Sequence, residues 1–170
     1  MLVILQALAL ILWANAAPLL ARLLLGRCWA WPIDGGRRLR DGRPLLGGAK
    51  TWRGLILALL TTPPVALLLG LPWSIGLLVA AGAMLGDLLA SFFKRRLGLA
   101  ASDAAPLLDQ VPESLIPALL LHGTIGLSWT RIAALVAGFT LINLVLTPLA
   151  TWLHAASKRR HARQGRGRDR

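Results

Sequence analysis

The stretch WSIGLLVAAGAMLGDLLASFFKRR, residues 73–96, decides the fold class of this chain. Residues 73–93 carry a single charged side chain, Asp87, and three consecutive basic residues follow them. About 20 apolar residues are the length that an α-helix needs to cross the ~30 Å hydrocarbon core of a bilayer. Cations directly after such a run are typical of the point where a helix leaves the membrane. The stretch therefore predicts a transmembrane helix.

Four further apolar blocks accompany this stretch, at residues 2–25, 54–69, 111–127 and 130–153. Hydrophobic residues make up 56% of the 170 residues and charged residues only 15%, below the roughly 25% of soluble chains. This composition excludes an ordinary soluble domain. The single cysteine, Cys28, excludes an internal disulfide. We therefore predict an all-α integral membrane protein with five transmembrane helices.

The polar segments divide the chain into one membrane domain and a tail. Residues 1–156 form the predicted domain, with polar loops at residues 26–53 and 94–110, and a basic tail follows at residues 157–170. If both loops and the tail lie on one side, that side holds 18 of the 19 basic residues, and only Arg131 lies on the other. The positive-inside rule then predicts an outside N-terminus and a cytoplasmic C-terminus in a multi-pass protein of the cell membrane.

Two alternatives to this interpretation concern the ends of the chain. Residues 14–16 resemble a small-residue cleavage site, but no Lys or Arg precedes the first apolar block, as a signal peptide requires. The tail and the net charge of +12 are also typical of nucleic-acid binding. Because no aromatic residue follows Trp152, base stacking is absent there, and we interpret the tail as a membrane-surface anchor without a nucleic-acid partner.

Asp87 is the first candidate for chemistry, because an ionisable side chain inside an apolar span is expensive and often functional. Ser91, Lys94 and Arg95 follow it at intervals of four, seven and eight residues, which places all four side chains on one face of a helix. That face would carry a carboxylate, a hydroxyl and two cations toward the cytoplasm. The alternative is that Asp87 only forms a structural ion pair with a basic residue of another helix.

The first loop is a second candidate, because glycines and cations can approach a phosphate closely. Its segment GGAKTWRG, residues 47–54, differs from a P-loop, since Ala49 separates the glycines from Lys50 and no strand pattern precedes it. The segment predicts either a phosphate-binding loop or a basic connector. The second loop supplies Asp103 and Asp109, and Glu113 follows at the next span. Carboxylates without a histidine cluster suit Mg²⁺ and a polyphosphate.

Three segments together resemble the CDP-archaeol synthase family, which is related to the CTP-dependent phosphatidate cytidylyltransferases. Residues 47–54 resemble its GKTWRG region, residues 86–98 (GDLLASFFKRRLG) resemble its GDxxxSFxKRRxG segment, and residues 106–110 (PLLDQ) are similar to its PxLDQ. The resemblance implies transfer of CMP from CTP to a membrane lipid phosphate, with Mg²⁺ as cofactor and pyrophosphate as product. A homodimer is compatible with it.

The resemblance also implies roles for particular residues. The expected catalytic residues are Asp87, Lys94, Arg95 and Asp109. The expected metal ligands are Asp87, Asp109 and Glu113. Lys50, Thr51, Arg53, Ser91 and Arg96 are expected to bind the substrates. The alternatives from other classes are a non-enzymatic lipid-binding scaffold of the same fold and a transporter, for which Asp87 alone provides a thin ion pathway.

The chain departs from the family pattern at two places. The family has a second Asp three residues after the Asp of PxLDQ, where this chain has Pro112 followed by Glu113, and it tends to carry an acid at the position of Gly48. We hypothesise that Glu113 replaces the missing Asp. Its position depends on where the fourth helix begins. A helix that includes Asp109 places both acids on one face, whereas a helix that begins at Pro112 places Glu113 in the first turn.

Overall fold

A computed structural model describes residues 1–26, 28–100, 103 and 105–145 of the chain. These residues form five α-helices and no strand. The helices are α1 (Leu2–Leu25), α2 (Trp52–Leu68), α3 (Trp73–Arg96), α4 (Pro106–Ile125) and α5 (Trp129–Val145). The all-α prediction is confirmed for this part of the chain. The end of the fifth predicted span and the basic tail lie outside the described residues.

Two of the helices, α1 and α3, are long and apolar enough to cross a membrane, whereas α2 and α5 are shorter apolar helices. Many large hydrophobic side chains are exposed on the helix surfaces, Leu24 and Leu68 among them. In water such surfaces would be unfavourable, because contiguous exposed apolar area drives association. The arrangement fits a protein that is surrounded by lipid.

Helix α4 begins five residues before the fourth predicted span. Helix α4 begins at Pro106, which occupies its first turn, where a proline needs no N–H partner. The helix therefore includes Asp109, and Pro112 lies inside it. The second loop is correspondingly shorter than predicted. Of the two geometries considered for Glu113, the one with both acids on the same helix face is the one observed.

Small residues allow the helices to approach closely. A Cβ atom placed on Gly54 of α2 would lie 2.9 Å from Cβ of Pro18 in α1, and one on Gly76 of α3 would lie 2.7 Å from Cβ of Ala66 in α2. On the other face of α3, a Cβ atom on Gly82 would lie 2.9 Å from Cα of Pro117 in α4. Such contacts replace side-chain burial as the source of packing when lipid is the solvent.

The loop between α1 and α2 folds back on itself rather than extending into solvent. The N–H of Ile33 donates to the carbonyl of Lys50 at 2.8 Å, and the N–H of Trp52 donates to the carbonyl of Trp31 at 3.0 Å. Nearer the tip, the N–H of Leu45 donates to the carbonyl of Arg37 at 2.9 Å. These bonds return the chain to the start of α2 and place Lys50 beside the helices.

Candidate active site

Helix α3 provides the central face of the candidate site. Ser91, Lys94 and Arg95 are all buried on this helix, and Asp87 lies one turn before Ser91. The burial of two cations near a helix end is unusual unless partners or a ligand compensate for the lost hydration. The first loop and α4 supply partners for Asp87 and Lys94.

Lys50, from the loop before α2, reaches Asp87 of α3. Its Nζ donates to Oδ1 of Asp87 at 2.5 Å, and each side chain is about one-fifth exposed (24% and 19%). The two residues are 37 positions apart, so the pair depends on the folded loop. The sequence predicted both residues as site residues, but their direct ion pair is a finding of the structure.

Glu113 of α4 lies against α3 next to Asp87. A Cβ atom on Gly86 would lie 2.2 Å from the carbonyl oxygen of Pro112 and 2.7 Å from Cα of Glu113, so the two helix backbones are in contact there. Because Gly86 has no side chain, α4 can bring Glu113 to the level of Asp87. The two acidic side chains line the same cavity.

Lys94 forms the second ion pair of the site. Its Nζ donates to Oδ2 of Asp109 at 3.0 Å and to the backbone carbonyl of Asp103 at 2.8 Å. Lys94 is buried, whereas the carboxylate of Asp109 is one-third exposed. The pair joins the end of α3 to the start of α4. It lies two turns along α3 from the pair of Lys50 and Asp87.

Arg95 is buried beside the glycine-rich loop. It is 9% exposed, and a Cβ atom on Gly47 would lie 3.9 Å from its Cδ and Nε atoms. Within the described part of the chain, the side chain has no carboxylate partner, and its Nε has no hydrogen-bond partner. A buried cation without an acidic partner is an appropriate group to meet a phosphate.

Asp34 holds the glycine-rich loop in this position, although the sequence motifs did not identify it. Its carboxylate accepts the N–H groups of Gly36, Leu46 and Gly47, each at 2.9 Å. Burial alone would raise the pKa of Asp34, but these backbone hydrogen bonds together outweigh burial and hold the pKa below its usual range. Asp34 thus stays charged and fixes Gly47 next to Arg95.

The structure places Arg96 away from the other predicted site residues. Its guanidinium donates to the carboxylate of Asp41 and to the carbonyl of Pro44, each at 2.5 Å, and lies over the ring of Phe92. The N–H of Arg43, followed by the guanidinium of Arg96, lowers the pKa of Asp41. Arg96 therefore attaches the tip of the loop to α3, so the structure gives it a partner other than substrate.

Arg53 also points elsewhere, because its guanidinium donates to the carbonyl of Cys28 at 2.5 Å and is buried there. This bond fixes the beginning of the loop to α2. Thr51 precedes α2 as its N-cap residue and lines a small cavity together with Lys50 and Asp87. Of the substrate-binding residues predicted in this segment, Lys50 and Thr51 thus line that cavity, whereas Arg53 is hydrogen-bonded to the beginning of the first loop.

A cavity of about 290 Å³ joins this cluster to the side of the bundle. Lys50, Asp87 and Glu113 are among the residues that line it. Its other polar lining residues were missed by the sequence analysis: Asn15 and Arg22 of α1 and Asn143 of α5. The sequence pattern that could have identified two of them is an asparagine inside an apolar block, where a polar side chain is unfavourable and often functional.

The acidic residues of the cavity fit a divalent cation that is shared with a substrate. No three Asp, Glu, His or Cys side chains within the described ranges lie close enough together to hold an ion alone. Mg²⁺, however, usually binds one or two carboxylates and completes its shell with water and substrate phosphates. The oxygen donors of Asp87 and Glu113 in one cavity fit that mode, with the charge of Asp109 nearby.

The chain is similar to known proteins in both sequence and fold. A family model described as "CarS-like: CDP-archaeol synthase" matches residues 1–73 and 72–155. A solved structure of an intramembrane enzyme for archaeal membrane lipid biosynthesis has a TM-score of 0.71 and 30% sequence identity. The match covers 84% of this chain and 90% of the other. The similarity of fold and sequence thus extends over most of the chain.

Several curated relatives carry the name CDP-archaeol synthase. The one from Hyperthermus butylicus is 45% identical over 104 residues, which are 58% of this chain and 59% of the relative. Those from Methanosphaerula palustris and Thermococcus onnurineus are 43% and 37% identical. These two matches cover 74% and 82% of this chain, and 80% and 81% of the respective relatives. The resemblance predicted from the three motifs is confirmed.

Proposed function

Because the chain belongs to the CarS-like family of CDP-archaeol synthases, we propose that it transfers CMP from CTP to a lipid phosphate in the membrane. Membership makes the chain an enzyme, a cytidylyltransferase, rather than a non-enzymatic scaffold of the same fold. The products would be a CDP-activated lipid and pyrophosphate. The lipid phosphate already carries nucleophilic oxygens, so catalysis requires positioning and charge stabilisation more than activation of the nucleophile.

One observation carries the proposal: three separate segments bring cations and carboxylates to one end of the bundle. Lys50 of the first loop meets Asp87 of α3, and Lys94 of α3 meets Asp109 of α4. Arg95 directly follows Lys94 in α3 and is buried without an acidic partner among the described residues. Such a mixture of charges suits a triphosphate that must be bound and then cleaved.

The roles follow from the positions of these side chains. In the reaction, an oxygen of the lipid phosphate forms a bond to the α-phosphorus of CTP, and the bond from that phosphorus to the bridging oxygen of pyrophosphate breaks. We propose that Arg95 and Lys94 stabilise the negative charge that develops on the leaving pyrophosphate. Both are buried cations: Arg95 lies beside Gly47, and Lys94 pairs with Asp109. Lys50 would hold a phosphate next to Asp87. Ser91, buried on the same face, is available as a hydrogen-bond donor.

We assign Asp87 and Glu113 as the carboxylates that would hold Mg²⁺, with Asp109 as the third acid of the site. When bound, the ion would supply neutralisation of the phosphate charges and orient them. Lys50 pairs with Asp87 and would exchange that partner for a phosphate of a bound substrate. The same exchange is available to Lys94 and Asp109. The ammonium groups thus keep the carboxylates compensated before the substrates arrive.

The direct test uses purified protein, CTP labelled at the α-phosphate, Mg²⁺ and a panel of lipid phosphates with ether- or ester-linked chains. We expect label to enter a lipid product and pyrophosphate to be released in equal amount. Label that stays in CTP with every lipid phosphate, although the protein is folded, would contradict the proposed function. Hydrolysis of CTP to CMP without a lipid product would also contradict it.

Replacing Glu113 with Gln tests its assignment to the metal. We expect the Mg²⁺ concentration for half-maximal activity to rise by roughly tenfold or more, the scale of one ~1.4 kcal/mol contact. A helix-terminal charge cannot explain such a change, because Glu113 lies two turns into α4. The measurement is a Mg²⁺ titration at saturating CTP. An unchanged Mg²⁺ requirement together with a lower melting temperature would instead show a structural acid.

For the topology, we propose five membrane crossings with the first loop on the cytoplasmic side, because CTP is cytosolic and the candidate site contains that loop. A reporter that is active only outside should work when it is fused after Leu71 or Ser128 and should fail after Gly42. The physical reason is the partition of basic residues, which are retained in the cytoplasm. A cytoplasmic junction at Leu71 would overturn the arrangement.

A further inference from the structure

The cavity lined by Lys50, Asp87 and Glu113 also has a polar wall to which the proposed function gives no role. Asn15 and Arg22 of α1 and Asn143 of α5 form this wall. The chain contains two asparagines in all, and both line this cavity. They come from the first and last helices that the structure describes, 128 positions apart in sequence. Their convergence on one cavity requires an explanation.

Both asparagines lie within apolar helices, where an amide is unfavourable unless it is hydrogen-bonded. Nδ2 of Asn15 donates to the carbonyl of Ile11, and Nδ2 of Asn143 donates to the carbonyl of Phe139, each at 3.0 Å. These bonds to the preceding helical turn use one N–H of each amide. Among the described residues, neither Oδ1 atom has a hydrogen-bond partner, so each amide retains an acceptor and a donor for a ligand.

The position of the cavity indicates which substrate it receives. Helices α1 and α5 are close at Leu8 and Gly138, where a built Cβ atom would lie 3.8 Å from the Leu8 side chain. Toward the ends that carry Asn15 and Asn143, the cavity lies beside both helices. Leu19, which also lines it, is 53% exposed on the apolar surface of α1. The cavity therefore extends from the lipid-facing side of α1 to Lys50 and Asp87.

We propose that this wall is the acceptor subsite, which holds the headgroup of the lipid phosphate. This inference rests on the proposed function. Arg22 lies in the last turn of α1 and is exposed, so its guanidinium can reach a phosphate at the membrane surface. With Lys50 it supplies two cations for a phosphate that carries up to two negative charges. Asn15 and Asn143 hydrogen-bond the oxygen atoms of the glycerol backbone that joins the phosphate to its chains.

Different side chains are available to the two substrates of the reaction. Arg95 lies against Gly47 of the first loop, whereas Arg22 and Leu19 of α1 line the cavity. Asp87 and Lys50 line this cavity and also the small cavity beside Thr51. A phosphate held at Arg22 would lie in the cavity that Lys50 and Asp87 also line, and so would be near the residues that the proposed function assigns to the reaction.

The test replaces Arg22 with Gln and Asn15 with Leu, and uses Arg131→Gln as the matched control, because Arg131 is also an exposed arginine near a helix end. We expect KM for the lipid phosphate to rise about tenfold or more in both variants, the scale of one lost charge-assisted or buried hydrogen bond. KM for CTP should stay within about twofold, and Arg22→Lys should recover part of the loss. Arg131→Gln should behave as the wild type.

A binding measurement without turnover keeps this inference separate from the proposed function. A short-chain dialkylglycerol phosphate should raise the melting temperature of the wild type in detergent. In Arg22→Gln this shift should disappear, while the shift caused by CTP persists. If CTP binding is lost instead, or if neither KM nor the shift changes, the subsite is not at Arg22. A wild type that binds the lipid phosphate but forms no CDP-lipid would refute the proposed reaction and leave the subsite standing.

Discussion

Replacing Asp87 with Asn is expected to lower kcat by at least ~10²-fold, because the substitution keeps the shape of the side chain but removes its charge from the centre of the site. The carboxylate faces Lys50 and shares a cavity with Glu113, so its charge affects both the cations and the proposed metal ion. The melting temperature should change little, because the pair with Lys50 is partly exposed to solvent. Steady-state rates per folded molecule provide the measurement.

The matched control is Asp103→Asn. The carboxylate of Asp103 accepts the N–H of Ala100 at 2.6 Å and so belongs to its own loop rather than to the cavity. We expect nearly full activity from this variant. If Asp87→Asn lowers the yield of folded protein but the folded fraction retains full activity, Asp87 is a structural ion-pair partner. This is the alternative stated in the sequence analysis. That result would also remove the main argument for a metal at this position.

Replacing Gly86 with Ala is expected to disturb both stability and activity, since a Cβ atom would lie 2.2 Å from the carbonyl oxygen of Pro112. The nearest atoms are all backbone, so α3 and α4 must move apart instead of one side chain turning away. Overpacking of this kind costs about 1–3 kcal/mol or more. Movement of Glu113 away from Asp87 should lower kcat by about 10²-fold, the effect of a displacement near 1 Å.

Gly123→Ala is the control for this prediction. Gly123 lies in α4 with nothing within 4 Å of the built Cβ atom, so alanine meets open space there. In a helix interior alanine is favoured over glycine by roughly 0.5–1 kcal/mol, and the variant should be as stable as the wild type or slightly more so. Thermal unfolding in detergent and the CTP assay compare the two variants. Equal melting temperatures for both would show that α3 and α4 do not depend on the contact at Gly86.

The local sequence determined the class of the protein and the composition of its site. Apolar blocks of membrane-spanning length are a property of short segments, and the interval from Asp87 to Arg95 is a property of one helix, so both can be read without knowledge of the fold. The three motifs also predicted the family, which the comparisons confirm. The sequence left two starts open for the fourth helix because an apolar run marks the hydrocarbon core, whereas α4 continues into the polar region before it.

The tertiary structure alone decided which side chains meet. Arg53 and Arg96 were interpreted as substrate ligands because their motif contains them, yet their guanidinium groups bind loop carbonyls and Asp41. Asn15 and Asn143 are far apart in the sequence, and they line one cavity only because α1 and α5 both lie beside it. Hydropathy records how far each helix extends through the bilayer. It does not record the rotation of a helix about its axis or its distance from a neighbour, and these depend on close backbone contacts such as the one between Gly86 and Pro112.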